Sequence, residues 1–403
     1  MISVAGALQR VLDGVDFMPN ETVAIAAAHG RVLARDVVAR LTQPPSNVSA
    51  MDGYAVRAAD VETVPTILTQ IGEAAAGSAF DGAIGAGQTV RIFTGAPVPR
   101  GADAIVIQED TETDGDRITM TEAATQGRFI RPAGLDFKVG DVGITAHRVL
   151  SARDIGLAAA MNVPWLTVTR APRIALLATG DEIVRPGEPV GPNQIISSNT
   201  LALMGLIKAC GGEAIDLGIA RDDEDSLRAL AAGARGADML VTLGGASVGD
   251  HDLVRKVLGQ DGLELNFWRI AMRPGKPLIF GRIGDTPMMG MPGNPVSSLV
   301  CGLVYLRPAI RAMLGLNPHA TTHSALLGRD LAANDQRQDY LRAAATTDAN
   351  GQMVVTPFDK QDSSMLSRLT RADCLVLRPP HAEAAKAGDR VEILPLSGET
   401  TGI

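Results

Sequence analysis

The amino-acid sequence predicts a multidomain α/β protein built around a doubly wound parallel sheet. Strand-like and helix-like runs alternate between residues 171 and 320, a pattern typical of parallel strands joined by right-handed crossover helices. Short β-rich runs separated by Gly, Pro and Asp lie before and after that segment. With 403 residues, 46% of them hydrophobic, the chain is long enough for two to four domains that each bury a core.

The first 40 residues have apolar side chains at three- and four-residue spacing, which predicts helices over "VAGALQRVLDGV" and "VAIAAAHGRVLARDVV". Pro44 and Pro45 prevent a helix from continuing, and the pair Asp52-Gly53 indicates a turn. Four β-rich runs then predict an inserted β domain: "PTILTQIGEA", "QTVRIFTGA", "DAIVIQED" and "DRITMTEA".

The segment "SARDIGLAAAMN" predicts a return to helix, with Ser151 as its cap and Asp154 at the third helical position. We interpret "VPWLTVTRAPR" as a linker into the sheet domain. The predicted strands of that domain are "RIALLAT", "EAIDLGIA" and "ADMLVTLGG", and its helices are "SNTLALMGLIKACGG", "DEDSLRALAAGARG" and "HDLVRKVLGQ". After a helix at about residues 296 to 314, five runs predict a separate C-terminal β domain: "HSALLGRDL", "QDYLRAAATT", "QMVVTPFD", "DCLVLRPP" and "RVEILPL".

Charge and composition argue against several classes of protein. A net charge of -8, no basic run and 3% aromatic residues disfavour nucleic-acid binding, which needs a concentrated cationic surface. We expect no secretion signal, because the first residues have no basic segment followed by a long apolar one. We expect no membrane span, because the apolar run before residue 314 is interrupted by Arg307 and Pro308. Cys210, Cys301 and Cys374 are distant and odd in number, so we expect no disulfide framework and a cytoplasmic location.

Three apolar runs, "RIALLAT", "MLVTL" and "TPMMGM", are followed by loops with the chemistry of a binding site. These loops read "GDEIV", "GGASVGDHD" and "PGNPVSS", and ligands of open α/β sheets bind at the carboxyl ends of the strands. Glycine turns let backbone N–H groups converge on an anion, and closely spaced carboxylates suit Mg²⁺. The alternative for "GGASVGDHD" is a tight strand-to-helix turn with Asp250 or Asp252 near the helix N-terminus.

A further basic turn lies in "RIAMRPGKPLIFG". Arg273 and Lys276 flank a Pro-Gly turn and form a candidate anion-binding pair, although two solvated basic residues would give the same pattern. Ser247 is interpreted as a hydroxyl ligand to phosphate, and His251 has no assigned role. The sequence contains no phosphate-binding loop ending in Gly-Lys-Ser/Thr, no His-Glu-x-x-His and no nucleophile elbow.

Taken together in this order along nearly the whole chain, eight segments resemble the molybdopterin molybdenumtransferase family, which includes the E domain of gephyrin. The segments are "SAMDGYAV", "TGAPVPRGADAIVIQED", "RPAGLDF", "TGDEIV", "SSNTLALMGLI", "GGASVGDHD", "RPGKPLIFG" and "MPGNPVSS". One such segment is a weak signal, but eight in family order are highly specific.

The resemblance implies the domain organisation of the chain. It implies a discontinuous helical domain over 1–45 and 137–170, an inserted β domain over 46–136, an α/β molybdopterin-binding domain over 171–320 and a β-barrel-like domain over 321–403. It also implies a cytoplasmic homodimer whose active site lies between the two subunits.

The activity implied by the resemblance is the last step of molybdenum cofactor synthesis. Family members take adenylylated molybdopterin and molybdate, release AMP in a Mg²⁺-dependent step and leave molybdenum on the dithiolene sulfurs. Expected partners are molybdopterin adenylyltransferase and acceptor molybdoenzymes. The alternatives are a molybdopterin adenylyltransferase, a tungsten-preferring transferase and a non-enzymatic scaffold.

The resemblance also assigns roles to individual residues of this chain. It implies seven catalytic residues: Asp52, Thr94, Asp136, Glu182, Asp222, Asp252 and Lys276. It implies twelve residues that bind the pterin nucleotide: Arg131, Gly180, Asp181, Gly244, Gly245, Ser247, Gly249, Arg273, Pro292, Gly293, Asn294 and Pro295. We hypothesise that Glu182 and Asp252 organise the metal and water, while Asp52 and Asp136 position the oxyanion.

The chain departs from the family pattern at four positions. Ala246 stands where valine is usual, Asp250 where glutamate is common, and Arg273 where lysine is frequent. Leu135 replaces an acid often found just before the aspartate that matches Asp136. These changes bear on the choice of metal, which is why tungsten is kept as an alternative.

Overall fold

A computed structural model describes residues 1–244, 257, 259–260 and 262–396. The described α-helices are α1 (Val4–Asp13), α2 (Ala152–Ala160), α3 (Asn199–Ala209), α4 (Glu224–Ala231), α5 (Pro295–Cys301), α6 (Arg307–Met313) and α7 (Leu366–Thr370). The first twelve strands are β1 (Asn20–Ala24), β2 (Val37–Val38), β3 (Val48–Ser49), β4 (Gly53–Val56), β5 (Thr66–Ala74), β6 (Gln88–Ile92), β7 (Ala104–Ile107), β8 (Thr111–Asp114), β9 (Arg117–Met120), β10 (Ile130–Arg131), β11 (Val142–Ile144) and β12 (Trp165–Thr169). The others are β13 (Arg173–Thr179), β14 (Ile183–Val184), β15 (Ile195–Ile196), β16 (Glu213–Ala220), β17 (Met239–Leu243), β18 (Leu263–Phe267), β19 (Met272–Arg273), β20 (Ile279–Ile283), β21 (Thr286–Met291), β22 (His323–Leu327), β23 (Gln338–Thr347), β24 (Met353–Pro357), β25 (Cys374–Arg378) and β26 (Arg390–Pro395).

The predicted inserted β domain is a six-stranded sheet in the order β7-β4-β6-β5-β9-β8. Its strands coincide with the four β-rich runs of the sequence, with β4 and β8 in addition. Separate hydrophobic clusters cover the sheet, one around Tyr54 and Ile118 and the other around Ala55 and Ile105. Because Tyr54 and Ala55 are neighbours in β4, these clusters lie on opposite faces of the sheet.

The prediction of a helix over residues 23–38 is wrong. This segment contains β1, a short 3₁₀ turn and β2, and β1 pairs antiparallel with β12 along five residues. The interpretation of "VPWLTVTRAPR" as a linker is therefore also wrong, because β12 lies within it. Pairing between distant strands outweighs the local helical pattern here. The predicted helix α2 is confirmed, including the reciprocal cap between Ser151 and Asp154.

Helix α1 contributes its apolar side chains to the core of the α/β domain. Val4 and Val11 belong to the same hydrophobic core as the α/β sheet, and Ile2 forms two backbone hydrogen bonds with the segment before β19. The other segments of the predicted discontinuous domain share a core of their own around Leu33 and Leu166. The apolar face of α1 thus packs the first residues against the α/β domain.

The central sheet has the order β16-β13-β17-β21-β20-β18. The first four strands are parallel to one another, as predicted. At one side of the sheet, β20 pairs antiparallel with β21 and β18 pairs antiparallel with β20. Alternate residues of β13 enter cores on opposite faces, Ile174 and Leu176 on one face, Ala175 and Leu177 on the other. The α/β fold class is confirmed, with a mixed edge added to the parallel sheet.

Residues 295–313 form a continuous helical segment in which a π-helical turn, Gly302–Leu306, joins α5 and α6. Among the described residues it is the one helix long and apolar enough to be tested as a membrane span, with a mean hydropathy of 1.3. However, 78% of its apolar window is buried inside the molecule. It packs in the main hydrophobic core, beside α1 and the central sheet.

The C-terminal strands close into a barrel, as expected. The strand order β23-β24-β22-β26-β25 returns to β23 through an additional pairing between β25 and β23. The short strand β19 extends from the sheet domain and pairs parallel with the start of β23. The barrel is therefore attached to the sheet domain through backbone hydrogen bonds.

We predict that Gly53→Ala strongly destabilises the protein, whereas Gly156→Ala stabilises it. A Cβ at position 53 would lie 2.1 Å from the Val106 carbonyl oxygen. A Cβ at position 156, an exposed position of helix α2, would meet nothing within 4 Å. We expect a loss of about 1–3 kcal/mol or more for the first variant from the steric clash. The second should gain about 0.5–1 kcal/mol from improved helix propensity. Urea unfolding of both variants measures the difference, and equal midpoints would contradict it.

Candidate active site

The predicted site residues of the sheet domain meet at one edge of the central sheet. The parallel strands β13, β16, β17 and β21 bring their carboxyl ends to that edge, so it carries the loops 180–182, 221–222 and 292–295 and Gly244. Lys276 lies at the same edge, although it comes before a strand and not after one. It precedes β20, which runs antiparallel to β21 with Ile279 opposite Gly290.

The loops after β13 and β16 are hydrogen-bonded to each other. The Gly180 N–H donates to the Ala220 carbonyl (3.2 Å), and the Asp222 N–H donates to the Asp181 carboxylate (3.3 Å). The carboxylates of Asp181 and Asp222 are thereby held on adjacent loops at the sheet edge. Both residues are exposed, so both remain accessible to a ligand.

Glycine is required where the β17 loop leaves the sheet. Gly244 has φ +90°, its N–H donates to the Met291 carbonyl (3.2 Å), and an added Cβ would lie 2.8 Å from the Thr179 carbonyl oxygen. The loop therefore passes directly between the ends of its two neighbouring strands. The rest of this glycine-rich turn, with the predicted residues Gly245, Ser247, Gly249 and Asp252, lies outside the described residues.

A second glycine makes room for a predicted metal ligand. A Cβ at Gly180 would lie 2.4–2.7 Å from the carboxylate of Glu182, so only glycine allows this carboxylate to lie over the loop. Oxygen donors such as these fit Mg²⁺. No group of three or more His, Cys, Asp or Glu side chains is placed for a metal within the described part of the chain. The predicted metal pair with Asp252 thus remains a prediction.

The loop after β21 is held by two other parts of the chain. The Asn199 side-chain amide of α3 donates to the Gly293 carbonyl (2.7 Å), and the Asn294 amide donates to the Ser363 hydroxyl (2.9 Å). Pro295 begins α5 at its first turn. Ser363, which precedes α7 beside the barrel, is a site neighbour that the sequence analysis missed.

The structure gives Arg273 a role other than the predicted anion binding. Its guanidinium pairs with Asp339 and Asp335 and also donates to Asn334, all from the C-terminal region. The hydrogen bond to Asp339 raises the pKa of Arg273. These donors are therefore occupied by the protein itself. Lys276 is exposed and makes no ion pair with any described residue, so its ammonium is available to an anion.

Two of the other predicted residues, Asp52 and Thr94, are hydrogen-bonded to each other at the inserted β sheet, and Arg131 and Asp136 lie on the segment that follows it. The Thr94 N–H and hydroxyl both donate to one Asp52 carboxylate oxygen, each at 2.8 Å. Arg131 lies in β10, which pairs with β3 shortly before Asp52, and the Asp136 N–H donates to the Gln43 carbonyl (3.0 Å). In the described chain, no hydrogen bond or ion pair joins this group to the edge of the α/β sheet.

Arg91 is a second residue that the sequence analysis missed. Its guanidinium lies 4.9 Å from the Tyr54 ring and 5.0 Å from the Phe93 ring, and it donates to the Gly53 carbonyl (3.3 Å). The two hydrogen bonds from Thr94 lower the pKa of Asp52 most, and the positive charge of Arg91 lowers it further. A charged residue inside the apolar run "VRIF" is the signal that would have found it.

Comparison with known proteins identifies the family of this chain. The chain matches the family descriptions "MoeA N-terminal region (domain I and II)" over residues 2–162, "Probable molybdopterin binding domain" over 175–312 and "MoeA C-terminal region (domain IV)" over 324–396. Molybdopterin molybdenumtransferase of Haemophilus influenzae is 32% identical over 98% of this chain and 99% of its own length. Molybdopterin molybdenumtransferase 2 of Mycobacterium tuberculosis H37Rv is 34% identical over 93% of this chain and 95% of its own length.

The solved structures agree as well. A molybdopterin biosynthesis moeA protein from Pyrococcus horikoshii superimposes with a TM-score of 0.85 and 32% identity, covering 99% of this chain and 100% of the other. The fold and the sheet-edge site together define a multidomain transferase of molybdenum cofactor biosynthesis. The chain belongs to the molybdopterin molybdenumtransferase family.

We predict that Thr94→Val raises the pKa of Asp52 toward its ordinary value. The substitution removes the hydroxyl donor that stabilises the carboxylate and leaves the backbone donor in place. Because the folded-state pKa is lowered, the interaction holds above the ordinary carboxyl pKa and is lost as the pH falls through the folded value. Titration of the ¹³C-labelled carboxyl by NMR measures the shift. Thr113→Val, on the same sheet, is the control, and an unchanged Asp52 titration in Thr94→Val would contradict the assignment.

Proposed function

We propose that this protein transfers molybdenum from molybdate to adenylylated molybdopterin with Mg²⁺-dependent release of AMP. The observation that carries this proposal is the exposed Lys276 ammonium, which pairs with no carboxylate among the described residues and lies at the same sheet edge as Asp181, Glu182 and Asp222. A phosphoanhydride needs cationic charge beside its leaving oxygen and oxygen ligands for a metal. This edge supplies both kinds of group.

The reaction divides into cleavage and insertion. In the cleavage, water forms a bond to the adenylate phosphorus, the bond from that phosphorus to the bridging oxygen breaks, and AMP separates from molybdopterin, which keeps its own phosphate and the bridging oxygen. Lys276 is assigned to the charge that develops on the bridging oxygen. Asp52 and Asp136 are assigned to orienting molybdate. Because these carboxylates and molybdate are all negatively charged, they act through water or intervening donor groups.

Mg²⁺ fits the oxygen donors of this edge. Glu182, whose carboxylate lies over Gly180, and Asp252 of the glycine-rich loop are assigned to hold it. Bound there, Mg²⁺ supplies Lewis-acid charge that neutralises phosphate oxygens. Asp181 and Asp222, on adjacent loops of the same edge, are assigned as acceptors for water or ribose hydroxyls.

We infer that the complete site forms between two copies of the chain. The Asp52 group and the sheet-edge group have no bonding contact with each other among the described residues, although both are assigned to one reaction. Exposed apolar side chains lie next to each group, Met51 and Leu135 beside the first and Ile195 and Leu201 beside the second. Burial of these apolar patches against a second copy would bring the two polar groups together.

We predict that the wild-type chain has twice its monomer mass in light scattering and that Leu135→Asp becomes monomeric. Leu135 is 59% exposed next to Asp136, so a charge there would oppose an interface without disturbing a core. The control Met353→Asp changes an apolar residue of the barrel that is 47% exposed. A monomeric wild type, or a dimeric Leu135→Asp with full turnover, would contradict the proposed assembly.

We predict that the protein releases AMP from adenylylated molybdopterin only when molybdate and Mg²⁺ are present. In Lys276→Met, kcat should fall by roughly 10²–10³, the usual effect of removing one charge-stabilising donor. Lys208→Met, at the end of α3, should keep the wild-type rate. AMP release and pterin-bound molybdenum are measured together. An unchanged rate in Lys276→Met would remove this residue from the mechanism.

The same assay separates the other candidate functions. Consumption of ATP with free molybdopterin would indicate the adenylyltransferase reaction instead, and a higher rate with tungstate would indicate a tungsten transferase. Absence of turnover with retained partner binding would indicate a scaffold. Under the proposed function, molybdopterin adenylyltransferase supplies the substrate and molybdoenzymes accept the product in the cytoplasm.

A further inference from the structure

The basic turn that carries Lys276 rests on a buried side chain outside the predicted site. The turn joins Ile270 to Leu278, and the N–H groups of these two residues donate to the Lys276 carbonyl (3.0 and 3.2 Å). Arg273 attaches one side of the turn to the barrel. The Lys276 side chain is exposed, whereas the neighbouring Gly275 is buried. The position of the ammonium therefore depends on what lies beneath Gly275.

Cys301 lies beneath this turn. Its side chain is fully buried, and its Sγ atom is 3.8 Å from the Gly275 carbonyl oxygen. Burial raises the pKa of the Cys301 thiol, so the thiol keeps its proton and can donate to that carbonyl. Gly275 has φ +109°, and an added Cβ would lie 2.5 Å from Sγ and 3.5 Å from the Met272 side chain. The backbone of the turn is therefore in direct contact with the thiol.

Helix α5 connects this contact to another part of the predicted site. Cys301 is the last residue of α5, and the first is Pro295, which belongs to the loop after β21. At about 1.5 Å per residue, the two residues are about 9 Å apart along the helix axis. One short rigid element thus begins at the loop 292–295 and ends under the basic turn.

Helix α3 holds α5 at both ends. At its first residue, the Asn199 amide donates to the Gly293 carbonyl (2.7 Å) in the loop before α5. Further along, α3 packs so closely that a Cβ at Gly302, the residue after α5, would lie 2.7 Å from Leu206 and 2.9 Å from Leu203. Because a close-packed interior transmits displacements, α5 cannot shift without moving α3.

We propose that Cys301 is a positioning residue for Lys276, through which the packed helices α3 and α5 set the position of the ammonium at the sheet edge. The thiol acts through the Gly275 backbone and contacts no reacting group. The inference rests on the proposed function, in which Lys276 stabilises charge on the bridging oxygen. A misplacement of about 1 Å caused by a residue remote from the chemistry can lower a rate about 10²-fold. A small change of volume at position 301 should therefore affect kcat.

Three substitutions change this support by different amounts. Cys301→Val adds a methyl group against Gly275, and kcat for AMP release should fall about tenfold or more, with KM within about twofold of the wild type. Cys301→Ala leaves space under the turn and should lower kcat about threefold or more. Cys301→Ser keeps the size and a donor, so its kcat should stay within about twofold of the wild type. Wild-type kcat in Cys301→Val and Cys301→Ala would contradict the proposal.

Cys374→Val is the matched control. Cys374 is 2% exposed in a separate core of the barrel, and its Sγ lies 4.0 Å from the Ala343 carbonyl oxygen, so it makes the same kind of contact elsewhere. Its substitution should lower the urea midpoint, as Cys301→Val does, but leave kcat unchanged. An equal loss of kcat in both valine variants would overturn the proposal, because the effect would then come from general destabilisation.

A double-mutant cycle tests whether Cys301 acts through Lys276. In the Lys276→Met background, Cys301→Val should leave the residual kcat within about twofold, because the charge that it displaces is already absent. A further loss as large as that in the wild-type background would show that the two residues act independently, which would also overturn the proposal.

NMR of the lysine side chains separates this inference from the proposed function. The Lys276 signal, assigned by its loss in Lys276→Met, should shift in Cys301→Val and Cys301→Ala but not in Cys374→Val. If these shifts occur and the wild type releases no AMP, the function is wrong and the positioning of Lys276 stands. If the wild type turns over and the Cys301 variants change neither the signal nor kcat, the positioning is wrong and the function stands.

Discussion

Burial of both faces of the central sheet is the constraint on which the rest of the structure depends. Ile174 and Leu176 enter one hydrophobic core, while Ala175 and Leu177 enter another on the opposite face. Strands covered on both sides leave their ends as the accessible parts of the sheet. Polar residues that follow parallel strands must therefore meet at one edge. The carboxylates, the glycine turns and Lys276 converge for this reason, although they are far apart in the sequence.

The same constraint makes the C-terminal barrel part of the site's support. The main core continues from α1 through the sheet domain to barrel residues such as Tyr340 and Leu375. Polar contacts follow the apolar ones, since Arg273 pairs with Asp339 beside the basic turn and Asn294 donates to Ser363 at the loop after β21. Both loops that leave the edge of β20 and β21 are thus held from outside their own domain. The barrel fixes the positions of these loops.

Part of the candidate site was predictable because its signals are local. Loops that follow apolar strands, glycines at turns and neighbouring acids can be read within a few residues, and the structure brings these loops together. Arg273 shows where such reading fails. Its carboxylate partners lie 62 and 66 residues further along the chain, so a guanidinium that looked available to an anion is already paired, while Lys276 of the same turn is not paired with any described residue. Ser363 and Arg91 were missed for the same reason, since their importance comes from neighbours that only folding supplies.

By itself the sequence determined the α/β sheet, the inserted β domain and the C-terminal strands, because their periodicity and turn residues agree over short windows. Only the tertiary structure decided that residues 20–24 form a strand and that α1 packs on the sheet domain. Each of these depends on partners far away in the chain. The residues of β1 pair with β12, which lies more than a hundred positions away. A local sequence pattern does not include the stabilisation that this pairing provides.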